Sequence, residues 1–502
     1  MAFNGITVLR DAALTLKKGE IRAIVGKNGS GKSTLIKILS GYNQPQPGAT
    51  LDIGNRYFTL PAPAKALMAS GLAFVHQDLG LIADATILDN VLVGRFKARD
   101  LLPIHWTAES RRVADALRHF HVHVSPHTLV KDLSAIERAL VAVTRGFLDV
   151  QEHGGVIVLD EPTAFLPEKD VARLFAAIRD LAQRGIAVIY VSHRLDEILS
   201  LTHSVTVLRD GRIVHEGETA ELTEDELVGH ILGGDIQKFY PDLSPPGEDI
   251  TLVASGITGS VARNFGLALR KGEIVGITGL SGSGYEEIPY LLSGAVKAKA
   301  GRMEAGGRQV NAAELDPVLS RQLGLAFLPA DRQRESGAQT ASLRDNISLP
   351  VLERYVRFGF LNRRAETSVI DGLLQRFNVR PALPEAPLGT LSGGNQQKAL
   401  LAKWIQTNPA VLILYEPTQG VDVGSKQDIF RRIEEFSASG VSIIIASAEA
   451  EDLARLCHRV VVLRRGAIAA EFSGAALSET AIHDSAFRDT SGASDPAFEE
   501  TA

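Results

Sequence analysis

Short, almost wholly apolar runs punctuate the chain, and the whole set returns about 253 residues later. In the first half they are IRAIV at 21–25, VIVLD at 156–160, IAVIYVS at 186–192 and VTVLRDG at 205–211. In the second half they are IVGIT at 274–278, VLILY at 411–415, VSIIIAS at 441–447 and VVVLRRG at 460–466. Runs this uniformly apolar suit strands buried on both faces, so the pattern predicts a mostly parallel sheet covered by the helical stretches that separate the runs. Self-similarity over so long a period predicts a duplicated α/β domain, because solenoid repeats are far shorter. The segment from Ile231 to Asp249 is rich in Gly and Pro and reads as the linker, which puts the expected domains at 1–240 and 241–502. The last stretch, SGASDPAFEETA, has too little apolar content to fold alone and is expected to be a loose tail.

Composition narrows the picture. At 502 residues the chain exceeds the roughly 250–300 at which single cores stop growing, so each half can bury its own core. A net charge of -6 argues against a broad nucleic-acid-binding surface. The single cysteine, Cys457, excludes a disulfide scaffold and any zinc module built on several thiolates; it reads as a small buried apolar residue, and a reducing cytosolic setting fits. No apolar run approaches the ~20 residues of a membrane span, and the first 20 residues lack the apolar block of a secretory signal, so any membrane role is expected to be peripheral.

Chemistry enters with GKNGSGKST at Gly26 to Thr34, directly after the first apolar run and before a helical TLIKILS. Backbone N–H groups of such a loop cradle phosphates, Lys32 reaches the β and γ phosphates, and the Ser33 hydroxyl holds Mg²⁺. The expected nucleotide contacts are therefore Gly26, Asn28, Gly29, Ser30, Gly31, Lys32, Ser33 and Thr34. VIVLDEP adds Asp160 at a strand end, where a carboxylate serves the Mg²⁺ shell, and Glu161 next to it, placed to polarise an attacking water. His193 lies just past another apolar run, where a side chain at the carboxyl edge of a sheet reaches a γ-phosphate. Gln77, after LAFV, ends a third candidate strand and can touch water, metal and a mobile loop.

Together these residues resemble the ATP-binding cassette (ABC) family across nearly the whole chain. The resemblance implies two tandem P-loop NTPase domains of the ABC ATPase type, each with a helical subdomain. It assigns GKNGSGKST to the Walker A loop, Gln77 to the Q-loop, Asp160 and Glu161 to Walker B with its catalytic glutamate, and His193 to the switch histidine. Phe3 looks like the aromatic that stacks on adenine. The family usually has another strand before that aromatic, so either the first small sheet is shortened or the true start lies upstream.

The second copy carries LSGGNQQK at Leu391 to Lys398, a match to the ABC signature. Ser392 can cap the helix that follows, while Gly393 and Gly394 let backbone approach an anion at its positive end. In the family the signature completes the ATP site of the opposite domain. The first copy's counterpart is LSAIERAL, where Ser134 remains but Ile136 and Glu137 bring bulk and negative charge. The second copy's own phosphate loop, GLSGSGYEE, keeps its glycines but has Tyr285 and Glu286 in place of Lys32 and Ser33. Tyr415, Ala330 and Ala448 stand where the first copy has Asp160, Gln77 and His193; Glu416 survives. An acid about 4 Å from a phosphate charge costs ~4 kcal/mol at an effective dielectric of 20, nearly a thousandfold in affinity. One hydrolytic composite site is therefore expected, using Lys32, Ser33, Gln77, Asp160, Glu161 and His193 with Ser392, Gly393, Gly394, Asn395, Gln396 and Asp422, and ATP and Mg²⁺ as its ligands.

Tandem cassettes with one degenerate site, LSGGNQQK and LPADRQRESG resemble the ATP-binding subunits of bacterial monosaccharide importers, although that group usually has Glu where Ala330 stands. The resemblance implies two integral membrane permease subunits, an extracytoplasmic sugar-binding protein, no nucleic acid, and a place on the cytoplasmic face of the cell membrane. Nucleoside importer ATPases share the tandem plan, and a soluble ribosome-associated tandem cassette is the alternative from another class. The spacing of His119, His121 and His123 would give a strand one metal-binding face, but a connector is expected there. Arg363–Arg364 and Arg431–Arg432 read as solvated helix faces.

Overall fold

The apolar runs become strands. The computed structural model describes residues 1–3, 6–54, 56–94, 104–150, 155–163, 166–234 and 239–487. These divide into two compact units: residues 1–236 with Asp422–Gly424, and 237–421 with the chain from Ser425 onward. The proposed tail at 491–502 and part of the linker lie outside the described residues.

In the first unit, strands β1 (Ile21–Val25), β2 (Leu72–Val75), β3 (Val156–Asp160), β4 (Ala187–Val191), β5 (Ser204–Arg209) and β6 (Arg212–Glu218) form one sheet in the order β6-β5-β1-β4-β3-β2. Five strands run parallel and β6 closes one edge antiparallel to β5. All five residues of β4 are buried, as expected of a strand covered on both faces. The phosphate loop leads from β1 into helix α1 (Lys32–Leu39). Helix Trp106–His119 and helix α2 (Ala135–Val150) form the helical part; Val113, Leu117, Leu140 and Phe147 bury their side chains in the same core as Ile157 and Tyr190.

The second unit repeats the plan with β7 (Ile274–Gly279), β8 (Leu325–Leu328), β9 (Val411–Tyr415), β10 (Ser442–Ala446), β11 (Arg459–Arg464) and β12 (Ala467–Ser473), in the order β12-β11-β7-β10-β9-β8. Helix α3 (Gly393–Ile405) opens at the signature. Here the antiparallel layer has four strands, ordered Phe265–Arg270, Ile250–Thr258, Ala300–Ala305 and Arg308–Asn311. The first unit has in its place the short pairs Ala2–Phe3 with Ile6–Thr7 and Thr50–Ile53 with Arg56–Thr59. Cys457 is buried, and burial pushes its thiol pKa up. Among the described residues no helix is long and apolar enough to cross a membrane.

Candidate functional site

Local backbone requirements shape the phosphate loop of the first unit. Gly26, Gly29 and Gly31 have φ of 152°, 80° and 109°, the region that glycine enters at least cost. A Cβ on Gly26 would stand 2.1 Å from the Leu208 carbonyl oxygen, so the close approach of β5 also demands glycine. Gly31 is the N-cap of α1 and offers no side-chain cap, and the first turn has no acid. Two other helices of this unit are closed by capping boxes, Thr86 with Asp89 and Thr223 with Glu226. The amides that open α1 therefore suit a phosphate. Lys32 donates from Nζ to the carbonyls of Gly26 at 2.5 Å and Lys27 at 3.2 Å. Burial pulls its pKa down, opposed by nearby carboxylates that include Glu161 and Asp160.

Sheet register supplies the acids. Asp160 pairs with Val191 across β3 and β4, and the Glu161 N–H donates to the Val191 carbonyl at 2.8 Å, with Glu161 at φ 50°. That turn carries the Glu161 carboxylate to the chain just beyond β4, where His193 Nδ1 lies 3.2 Å from Glu161 Oε1. The hydrogen bond from His193 holds the Glu161 pKa below the ordinary carboxyl value against the effect of burial. Burial, with the charge of Glu161 second, raises that of Asp160. Lys32, Asp160, Glu161 and His193 thus share one electrostatic neighbourhood. Gln77 lies exposed in the turn two residues beyond β2, which is β3's other neighbour. Asp160, with the exposed Ser33 hydroxyl, offers the hard oxygen donors that Mg²⁺ prefers. Phe3 belongs to a described strand, but its side chain lies outside the described residues.

The same positions in the second unit are filled differently. Tyr285 is 5% exposed, and burial, then the charge of Glu416, pushes its phenol pKa up. The Gly282 N–H donates to Glu286 Oε1 at 2.8 Å, so a carboxylate of the loop itself takes an amide of the would-be phosphate cradle. Glu416 follows β9 as Glu161 follows β3, but it accepts from the Ser447 hydroxyl at 2.8 Å and the Ala448 N–H at 2.7 Å. Burial pushes its pKa up to about 7. The folded state then binds this proton more readily than the unfolded chain, so stability falls as pH rises from 4.5 to about 7 and stays lost above. Glu416→Gln is expected to flatten that slope by at most about 3 kcal/mol. Urea unfolding at pH 5 and pH 8, followed by Trp404 fluorescence in a Trp106→Phe background, checks it.

The signature departs from expectation in one respect. Ser392 is at the N-cap of α3, yet its hydroxyl caps no amide; it accepts from the Asn395 side chain at 2.9 Å instead. Asn395 in turn accepts the Arg380 N–H at 2.9 Å, and Gln396 donates to the Leu391 carbonyl at 2.9 Å. A Cβ on Gly393 would meet the Gly420 carbonyl oxygen at 3.1 Å and Arg332 Nη1 at 3.3 Å, so the tight approach explains that glycine. Gly394 is buried in the first turn of α3, and Asp422 accepts the Gly424 N–H at 3.1 Å. In LSAIERAL, Glu137 folds back: its Oε2 accepts the Ser134 N–H at 2.8 Å and hydroxyl at 2.6 Å, which lowers its pKa. Its charge is engaged in capping α2.

Comparison with known proteins matches the ABC transporter family twice, over residues 9–164 and 262–419. The chain belongs to the ABC transporter family. A putative ribose/galactose/methyl galactoside import ATP-binding protein of Agrobacterium fabrum is 35% identical over 96% of this chain and 95% of its own length. Ribose import ATP-binding proteins of Chromobacterium violaceum and Lactococcus lactis subsp. cremoris are 35% and 34% identical, over 95% and 93% of this chain and 94% of theirs. An archaeal ribosome recycling factor, solved with a ribosomal stalk protein, shares the fold at 16% identity, TM-score 0.55, over 92% of this chain and 87% of its own. The protein is thus an ATPase of two ABC domains, each with a mostly parallel sheet and helices.

The segment with His119, His121 and His123 is a connector, as expected: His119 ends a helix and is paired with Asp180, and His121 and His123 follow in the turn and irregular chain beyond it. Among the described residues no group of three or more His, Cys, Asp or Glu side chains could hold a metal ion. Arg363 is ion-paired with Asp345 and Glu366, and Arg432 with Glu435. Sequence reasoning missed Glu197, buried behind His193, because in SHRLDE nothing distinguishes it from the exposed Asp196. It also missed Arg332, whose guanidinium donates to the Gly393 carbonyl at 3.3 Å.

Proposed function

We propose that this ATPase is the energy-coupling subunit of an importer for a monosaccharide, with hydrolysis at one composite site. The observation that carries the proposal is asymmetry between the copies. Lys32, Asp160, Glu161 and His193 converge in the first, while Tyr285, Glu286 and Ala448 displace that chemistry in the second, which nonetheless keeps LSGGNQQK. Domains 1–240 and 241–502 divide the labour. The first supplies Gly26, Asn28, Gly29, Ser30, Gly31, Lys32, Ser33, Thr34 and Phe3 to ATP; the second supplies Ser392, Gly393, Gly394, Asn395, Gln396 and Asp422.

Lys32 and the amides of α1 neutralise and orient the phosphates. Asp160, Ser33 and Gln77 would hold Mg²⁺, which would supply charge neutralisation at the transferring phosphoryl group. The Glu161 carboxylate orients a water and takes its proton, and His193 fixes Glu161 by hydrogen bond.

The sugar importers that the chain resembles support the substrate class and the partners: membrane permease subunits and, through them, an extracytoplasmic sugar-binding protein, with this chain on the cytoplasmic face. The helical segments between Gln77 and Leu133 and between Ala330 and Leu391 are the proposed seats for the permease. Uptake of labelled ribose, galactose and adenosine, in cells expressing the chain with a candidate permease, separates the readings. Sugar uptake lost with Lys32→Ala supports this one; adenosine uptake favours a nucleoside importer; cosedimentation with ribosomes and not membranes contradicts both.

A further inference from the structure

Behind the proposed site, three hydroxyl groups meet on one buried oxygen. Glu197 is 1% exposed. Its Oε2 accepts from the Tyr190 phenol at 2.6 Å, the Ser192 hydroxyl at 2.9 Å and the Thr163 hydroxyl at 3.0 Å. Its Oε1 lies 3.4 Å from Arg194 Nε. A carboxylate is suited to this because it can accept several donors at one oxygen while offering no hydrogen of its own. Tyr190 keeps its proton to donate, since burial and then the charge of Glu197 push its pKa well up.

The donors come from the two segments that carry the chemistry. Tyr190 is the last but one residue of β4 and Ser192 follows the strand, immediately before His193; Ser192 Oγ also accepts the Arg194 N–H at 3.1 Å, so the chain is pinned on both sides of the histidine. Thr163 stands two residues past Glu161. We infer that Glu197 is a positioning residue for hydrolysis: a buried clamp that ties the turn after β3 to the turn after β4 and so sets the Glu161–His193 contact. The inference rests on the proposed roles of Glu161 and His193 and adds to them the group that holds the pair in place. Misplacement by about 1 Å costs on the order of a hundredfold in rate, so such a clamp has kinetic weight.

The second unit gives the contrast. At the matching position Asp452 accepts from Tyr240 at 2.9 Å and pairs with Lys426 at 2.8 Å, while the Thr418 hydroxyl is 3.5 Å away. Ser447 gives its hydroxyl to Glu416 instead, and Ala448 replaces the histidine. The three-hydroxyl arrangement accompanies the histidine; where the histidine is gone, a lysine neutralises the acid.

The test is a double-mutant cycle on the full chain with Glu197→Gln and His193→Ala, reading kcat, the KM for ATP and thermal stability. Glu197→Gln is expected to lower kcat about tenfold and shift KM less than about twofold, and to lower the residual rate of His193→Ala little further, because both act through one contact. An equal loss in both backgrounds, or an unchanged kcat, overturns the clamp. If Glu197→Gln does not fold, Tyr190→Phe, which removes a single donor, takes its place in the cycle under the same criteria. Failure of the parent reading looks different: Lys32→Ala or His193→Ala would then leave ATP hydrolysis intact.

Discussion

Lys32→Ala is expected to reduce steady-state ATP hydrolysis by the full chain at least about a hundredfold. The reason is geometric and electrostatic. Lys32 opens α1 beside the glycine loop, partly desolvated, with its ammonium held at the Gly26 and Lys27 carbonyls. Desolvation strengthens its interaction with any phosphate in the loop. The second unit has no spare lysine, since Tyr285 and Glu286 occupy the corresponding loop. Phosphate release from the purified chain, with and without a partner permease in proteoliposomes, measures the effect. A residual rate within a few-fold of wild type would mean that the second loop carries hydrolysis.

Glu161→Gln is expected to cost about 10²–10³ in kcat while leaving ATP bound. Glutamine keeps the oxygen that accepts from His193 and the φ of 50° at this turn, so the site's shape survives. What it loses is the ability to take a proton from water. The signature of that loss is separation of binding from turnover: ATP retained on rapid filtration, with little phosphate formed. A parallel loss of binding would point to a structural role for the carboxylate instead.

Much of this was legible in the sequence because strand burial and glycine geometry are local properties. Runs such as IAVIYVS are apolar on both faces, and β4 is buried at each position. The phosphate loop was legible because a left-handed turn and close backbone approach call for glycine at Gly26 and Gly31. The pairing of Glu161 with His193 depends on β3 and β4 being neighbours, a relation between segments some thirty residues apart that spacing alone does not state. Glu197 was invisible for the same reason: burial by Tyr190 and Thr163 separates it from Asp196, and neither donor is predictable from the local string. Ser392 misled because its motif is a good capping pattern, yet Asn395 three residues on competes for the hydroxyl. Glu137 showed the reverse, an acid expected to bring negative charge to the signature loop but drawn back into a cap by Ser134.

The division of labour between the copies is tested most directly by counting nucleotide. Equilibrium dialysis of the full chain against Mg²⁺ and a non-hydrolysable ATP analogue is predicted to give one analogue bound per chain, and none after Lys32→Ala. Two per chain, or one that survives Lys32→Ala, would contradict the account.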